Sequence, residues 1–278
     1  WFNYPGQASN FPAEGGSSHL PSKTASQTEN ENGVVTWAMT QQDYNALGYP
    51  TLSKDERGRQ KKLNYAANNQ DVTTEQYWNG SAWVTIRTFG SYVNHLPGTV
   101  TEASGLITAY TYNAKNQVTI IDVKKGTQTE KTRYTYDTDG QGTPDGLPGY
   151  LMKVEQTSPA SASQWVTTDT YTYDAFGRME THSDATGYTK TYIYDALDRL
   201  VLVQYPDSTS EQYEYTTLDV TASKDRAGRW SRSAYNGIRK KAADMDPAGK
   251  ISQYEWCSCG AMKKLIDPAN RVTTWKRD

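Results

Sequence analysis

The chain has 278 residues, a formal net charge of −2 at pH 7 and a pI near 6.0. This balance excludes the basic surface typical of nucleic-acid binding, and no run approaches the roughly 18 consecutive apolar residues of a membrane span. Hydrophobic residues make up 36% of the chain, with 21 tyrosines but only 4 phenylalanines. We therefore expect a thin sheet whose apolar contacts come from tyrosine and tryptophan rings.

A series of tyrosines begins near the start of the chain and recurs along it at related intervals. Tyr4 is the first of the series, and a Gly-, Ser-, Pro- and Asn-rich segment follows it, so we interpret 5–33 as an inserted loop. Tyr44 and Tyr65 are then 21 residues apart. The stretch YWNGSAW predicts an inserted hairpin at 77–83, because Asn-Gly-Ser between apolar residues is typical of a tight turn.

The series is most regular in the second half of the chain. Tyr92, Tyr112 and Tyr136 precede a stretch in which we expect inserted loops at 140–165. Steps of 20 or 21 residues follow, which marks a repeat architecture. We call the recurring position the marker column; it continues at Tyr173, Tyr194, Tyr215, Tyr235 and Trp256. A second tyrosine lies two residues before the marker at Tyr171, Tyr192 and Tyr213.

Each unit holds two turns, one directly after the marker, as in DAFG at 174–177 and DALD at 195–198, and one midway between markers, mostly of the form D-x-x-G. Aspartate at the first position accepts backbone hydrogen bonds, and the fourth position takes residues that tolerate a left-handed backbone, such as Gly, or Asn116, Asp198 and Asn270. Segments of six or seven residues between turns suit β-strands. The predicted turn residues are Asp174, Gly177, Asp184, Gly187, Asp195, Asp225, Gly228, Asp246, Gly249 and Asp267.

The segments YTYDAFGRM, YIYDALDRL, DRAGRW and DPAGKI resemble the YD repeats of the rearrangement-hot-spot (Rhs) family. This resemblance implies an all-β fold in which antiparallel hairpins of about 21 residues wind as one spiral sheet and close into a hollow shell. We expect a single array over 1–278 that is a fragment of a longer one. The alternative fold is a β-propeller, because two repeats have the length of one four-stranded blade.

The residues give little support for chemistry. Cys257 and Cys259 lie in a turn and read as a short-loop thiol pair rather than half of a metal site, because structural zinc needs four ligands. Asp244 and Asp246 are explained by the turn pattern, and a glycosidase would need carboxylates facing each other across a cleft. We therefore expect no catalytic residue, no metal and no cofactor; a polysaccharide lyase or hydrolase is the least favoured hypothesis.

Two functional hypotheses remain. The resemblance implies a structural shell segment of a secreted or cell-surface protein, whose partners are adjacent repeats of the parent chain and an enclosed toxin domain outside this segment. The alternative is an extended extracellular adhesive or filament-forming wall that binds glycans or identical neighbouring chains. Its candidate ligand contacts are Trp78 and Trp83, which also suit an ordinary cross-strand pair. No nucleic acid and no membrane span are expected.

Overall fold

The computed structural model describes residues 2–5, 7, 19–29, 35–137, 149–158, 161–257 and 260–275. It assigns 23 strands to one antiparallel sheet, and no helix occurs among these residues. Accordingly, none of the described segments is a helix long and apolar enough to cross a membrane. The predicted all-β hairpin fold is confirmed.

The chain forms two compact units, of which the first comprises 1–134 and 156–166. Its strands are short, as the spacing of the turns requires. They are β1 (Phe2–Asn3), β2 (Lys23–Glu29), β3 (Val35–Tyr44), β4 (Pro50–Lys54), β5 (Gln60–Tyr65), β6 (Val72–Trp78), β7 (Trp83–Gly90), β8 (Thr99–Glu102), β9 (Ile107–Tyr112) and β10 (Val118–Lys125).

The second unit comprises 135–155 and 167–278. Three strands have residues in both units, namely β11 (Gln128–Tyr136), β12 (Leu151–Ser158) and β13 (Ser161–Tyr173). The strands wholly in the second unit are β14 (Met179–Asp184), β15 (Thr189–Tyr194), β16 (Leu200–Gln204), β17 (Ser210–Thr216), β18 (Asp219–Lys224), β19 (Trp230–Tyr235), β20 (Lys241–Met245), β21 (Ile251–Trp256), β22 (Met262–Ile266) and β23 (Val272–Thr274).

Within each unit the strands form a simple meander. Every described pair joins strands that are consecutive in the chain, from β1 to β11 in the first unit and from β13 to β23 in the second. The propeller alternative is wrong, because a propeller divides its strands among separate blades, whereas these strands belong to one sheet.

Most of the described turns share one geometry. In the turn that starts at Asp174, the N–H of Gly177 donates to Asp174 O and the N–H of Asp174 donates to Arg178 O. The register shifts by one residue just before this turn, between Thr172 and Tyr173. The fourth turn residue has positive φ, 78° at Gly177 and 59° at Asp198. This is a three-residue hairpin loop closed by a bulge.

The sheet has almost no buried core. Among the described residues only Val203 and Ala222 are buried apolar side chains, and the buried polar ones are Glu75, Glu155 and Thr157. Most strand residues are half-buried, as in a layer covered by its own rings and long side chains. Stability must therefore come from contacts between neighbouring strands rather than from a second packed layer.

The structure differs from the expected insertions at two places. Residues 23–29, inside the expected loop 5–33, form β2, because their Thr and Ala side chains alternate across a strand and Thr24 Oγ1 lies 2.6 Å from Thr40 Oγ1 on β3. Within 140–165, all of β12 and the start of β13 are strand. The remainder of both expected loops lies largely outside the described residues. At 77–83 the structure has the ends of β6 and β7 joined by a turn.

Two glycines with the same backbone angle allow a matched stability test. Gly177 and Gly249 both have φ of 78°, but a Cβ on Gly177 would overlap Tyr150 Oη, whereas one on Gly249 meets nothing within 4 Å. We expect Gly249→Ala to cost about 1–2 kcal/mol from left-handed strain alone, and Gly177→Ala to cost about 1–3 kcal/mol more from the clash. Urea denaturation of both variants measures the difference; equal costs would contradict it.

Candidate functional site

The candidate site is the marker column, whose side chains link one repeat to the one before it. In the first unit the Tyr65 hydroxyl donates to Pro50 O at 2.7 Å, and the Tyr112 hydroxyl donates to Pro97 O at 2.9 Å. The same bond joins Tyr44 to Pro21 O and Tyr92 to Val72 O. Each hydroxyl therefore crosses from its own strand to the backbone of an earlier hairpin.

The second unit has the same bonds. Tyr173 donates to Leu151 O and Tyr215 to Leu200 O, both at 2.8 Å. At the position where tryptophan replaces tyrosine, Trp256 Nε1 donates to Lys241 O at 2.7 Å. An indole N–H and a phenol O–H are both donors at the end of a flat apolar ring, so the substitution preserves the contact.

The accepting residue follows a rule. Leu200 is the strand partner of the marker Tyr194, and its carbonyl accepts from the next marker, Tyr215. Lys241 is likewise the partner of Tyr235 and accepts from Trp256. The same relation holds in the first unit. Pro50 is the strand partner of Tyr44 and accepts from Tyr65. Val72 is the strand partner of Tyr65 and accepts from Tyr92. In these four cases the marker binds the residue that pairs with its predecessor.

Partial burial raises the pKa of several of these hydroxyls further above neutral pH. Desolvation raises the pKa of Tyr65, Tyr112 and Tyr173 above the usual value for tyrosine, and a neighbouring tyrosine adds to the effect in each case. A protonated hydroxyl is a donor, which is what a carbonyl partner requires. The linking bonds are therefore maintained throughout the neutral pH range.

The other predicted tyrosines have different neighbours. Tyr171 stacks on His182 with centroids 5.0 Å apart, and the Tyr213 hydroxyl donates to Glu211 at 3.1 Å. Tyr192 pairs with the buried Val203 on β16. Like most markers, Tyr136, Tyr194 and Tyr235 are the last residues of their strands, which are β11, β15 and β19.

The turn aspartates each hold their own turn closed. Asp195 Oδ1 accepts the N–H of Leu197 at 2.8 Å and of Arg199 at 3.1 Å, and Asp195 Oδ2 accepts Arg199 Nε at 2.7 Å. The same Asp–Arg clamp closes the turns at Asp55, Asp174, Asp225 and Asp267. Asp184 and Asp246 accept the two backbone N–H groups, and the residues at the arginine position there are Tyr188 and Lys250.

The clamping arginines also reach the next repeat, a role that the sequence reasoning missed. Arg178 donates to Asp195 O at 3.0 Å, and its guanidinium lies 4.8 Å from the centroid of the Tyr194 ring. Arg199 donates to Thr217 O and lies 4.5 Å from the Tyr215 ring. The sequence contains a signal for this role, because an arginine directly follows the fourth turn residue at Gly177-Arg178 and at Asp198-Arg199.

Trp78 and Trp83 lie at the tip of the β6–β7 hairpin. They are strand partners, and their rings meet edge to face with centroids 5.6 Å apart. The side-chain oxygen of Asn79 closes the turn by accepting the N–H groups of Ser81 and Ala82. Trp78 is 36% exposed, so part of its ring faces solvent although the pair covers itself.

Residues considered for chemistry have separate structural roles. Cys257 is disulfide-bonded, and Cys259 lies outside the described residues. Asp246 is engaged in its turn, and Asp244 pairs with Ser233 and Ser252 across the sheet. His95 contacts Asp71 and His182 contacts Asp169. Over the described parts of the chain, no group of three His, Cys, Asp or Glu residues could hold a metal ion.

These features define a class of protein, an antiparallel β-hairpin repeat protein with laterally linked repeats. Residues 173–210 match the family model described as RHS Repeat, which confirms the resemblance over that segment. No curated protein matches the chain.

Solved structures extend the likeness to most of the chain at the level of fold. Crystal structures of TcdB2-TccC3 and TcdB2-TccC3-Cdc42 both have a TM-score of 0.58, at 13% and 14% identity, and cover 91% and 89% of this chain. The Photorhabdus luminescens Tc holotoxin pore has a TM-score of 0.57 at 14% identity over 89%. This chain spans only 15–16% of the length of those chains.

The linking bond can be tested with two tyrosines of the marker column. Tyr215→Phe removes the hydroxyl that donates to Leu200 O and leaves that carbonyl without this hydrogen bond. We therefore expect a loss of about 0.5–1.5 kcal/mol in the free energy of unfolding. Tyr235 is the matched control, because its hydroxyl makes no hydrogen bond to any described residue. Tyr235→Phe should therefore change the urea midpoint little, and equal effects of the two variants would exclude the proposed role of the bond.

The Asp–Arg clamps predict a loss of stability in acid. The hydrogen bond from the Arg199 guanidinium lowers the pKa of Asp195, which outweighs the rise from desolvation. A lowered folded-state pKa means that the stabilisation is complete above the unfolded value of about 3.9 and is lost as pH falls through the folded value. We expect the urea midpoint to decrease from pH 5 to pH 2.

The control for this prediction is Asp195→Asn. Asparagine keeps the backbone acceptor, as Asn236 does for Ile238 and Lys240, but it does not titrate. The variant should lose less stability than the wild type between pH 5 and pH 2. An identical loss in both proteins would show that this carboxylate does not contribute to the pH dependence.

Proposed function

We propose that this chain is a segment of a protein wall, and that the wall is a shell of the Rhs type. The observation that supports this is the lateral linkage of the repeats in a sheet with almost no buried core. Such a sheet extends in one direction by adding hairpins, and a hairpin such as that of Tyr215 is held by its predecessor through a marker bond and an arginine contact. A layer of this kind can enclose a volume without filling it.

The finer parts of the proposal concern cargo and location. We propose that the wall encloses a toxin domain outside this segment, that the parent protein acts outside the producing cell, and that the segment has no catalytic activity. The fold shared with components of a Tc holotoxin supports the first two points. The engagement of the turn carboxylates by backbone N–H groups and arginines supports the third.

Protease protection in the full parent protein tests containment. If the repeats enclose a domain, proteinase K should leave that domain intact in the wild type. Gly177→Val should make it susceptible, because valine at a left-handed position next to Tyr150 disrupts one hairpin of the wall. Thr186→Ser, a mild change in a turn of the same unit, is the control. Equal cleavage of the non-repeat domain in wild type and Gly177→Val would contradict containment.

A second candidate function is glycan contact at the β6–β7 tip. Tyr77 and Trp78 are 43% and 36% exposed at the end of a hairpin, and exposed aromatic rings can stack on sugar rings. Tryptophan fluorescence titrated with neutral oligosaccharides tests this. Trp78→Ala should abolish the response, while Trp37→Ala, which removes a more exposed ring on β3, should retain it. No response in the wild type would exclude this candidate.

A further inference from the structure

Large apolar side chains project from one edge of the second unit. Alternate turns of a meander open on the same edge, so the turns after β13, β15, β17 and β19 share one edge. Each of these turns has an exposed apolar residue near its tip. The exposed fractions are 78% for Phe176, 63% for Leu197, 58% for Leu218 and 57% for Ile238. We call these four side chains the apolar edge.

The turn geometry does not require these side chains. The turns on the opposite edge have the same backbone bonds as the turns of Phe176, Leu197 and Ile238, yet their third residues are small or polar, namely Thr186, Asp207, Ala227 and Ala248. Closure depends on the first residue and on backbone groups, as at Asp195 and Asp246. The difference between the two edges therefore has no explanation within the fold of the unit, and a row of exposed apolar groups is typical of an interaction surface.

We propose that the apolar edge binds the apolar edge of a second copy of this chain. The four residues recur every two strands, which corresponds to about 10 Å. A binding partner that contacts each of the four side chains in the same way must present apolar groups at the same spacing. The apolar edge of a second copy has this spacing. This inference goes beyond the proposed wall function, because it concerns association between chains and does not depend on a cargo.

The charges beside the apolar edge permit this association. The turn carboxylates are paired within the same chain, with Asp174–Arg178 and Asp195–Arg199 contacts of 2.6 Å. Two such edges therefore meet as neutral pairs rather than as like charges. The four side chains expose roughly 450 Å² of apolar surface, so two facing edges with their flanks bury about 1,000 Å², which is the lower limit of a specific interface.

A symmetric dimer fixes which residues meet. Because the contact is between identical surfaces, a two-fold axis must pass through the centre of the row, between Leu197 and Leu218. Leu197 then faces the partner's Leu218, and Phe176 faces the partner's Ile238. The antiparallel arrangement uses all four side chains on both copies.

Sedimentation equilibrium of the 278-residue chain tests the proposal. We expect concentration-dependent dimers, and we expect Leu197→Ser to raise the dissociation constant about tenfold. Leu47→Ser is the matched control: Leu47 occupies the third position of an Asn-closed turn in the first unit and is 58% exposed, but it is not part of the apolar edge. Unchanged denaturation midpoints verify that both variants fold.

A second measurement tests the arrangement. In a mixture of Leu197→Cys and Leu218→Cys chains, oxidation should join the two variants to each other more than either to itself. A monomer at all concentrations, or equal weakening by Leu197→Ser and Leu47→Ser, would overturn the proposal. Capture of other repeats of a longer parent chain, with no dimer of this chain, would also overturn it.

Discussion

The hydrogen bond from most marker side chains to the backbone of the preceding hairpin is the interaction on which this fold depends. A sheet with almost no buried core cannot gain stability from a second layer, so contacts between adjacent repeats must supply it. Tyrosine suits this role because its ring covers apolar surface and its hydroxyl reaches a carbonyl on the adjoining strand. Tryptophan serves equally at Trp256, where the indole N–H has the same direction and reach.

The turn clamp and the marker bond are parts of one network. Asp195 holds Arg199, and the held guanidinium covers Tyr215 in the following repeat. The position of the arginine is fixed by its own turn before it contacts the neighbour, which reduces the entropy lost in forming the contact. Lys240 likewise contacts the marker of the following repeat, with its Nζ 5.4 Å from the centroid of the Trp256 ring. Local turn chemistry thus positions the groups that join one repeat to the next.

The sequence predicts the hairpins well because turn chemistry is local. Asp174 and Gly177 specify a closed turn with a left-handed fourth residue regardless of what surrounds them. By contrast, the fourth positions at Ser208 and Arg239 are also left-handed, although neither residue type favours that backbone. Their conformation is imposed by strand pairing on both sides. The accepting carbonyls, such as Leu200 O, could not be predicted, since every residue has a carbonyl and only the register selects one.

The rule that a marker binds the residue paired with its predecessor has a consequence for how such chains change in length. Because the donor and acceptor types are the same wherever this bond forms, removing or duplicating one unit of 20 or 21 residues leaves a junction of the same kind. A shift of one residue would turn every ring to the opposite face. Duplication or loss of whole units in the gene therefore preserves the fold, whereas small frame-preserving insertions are tolerated only in the turns.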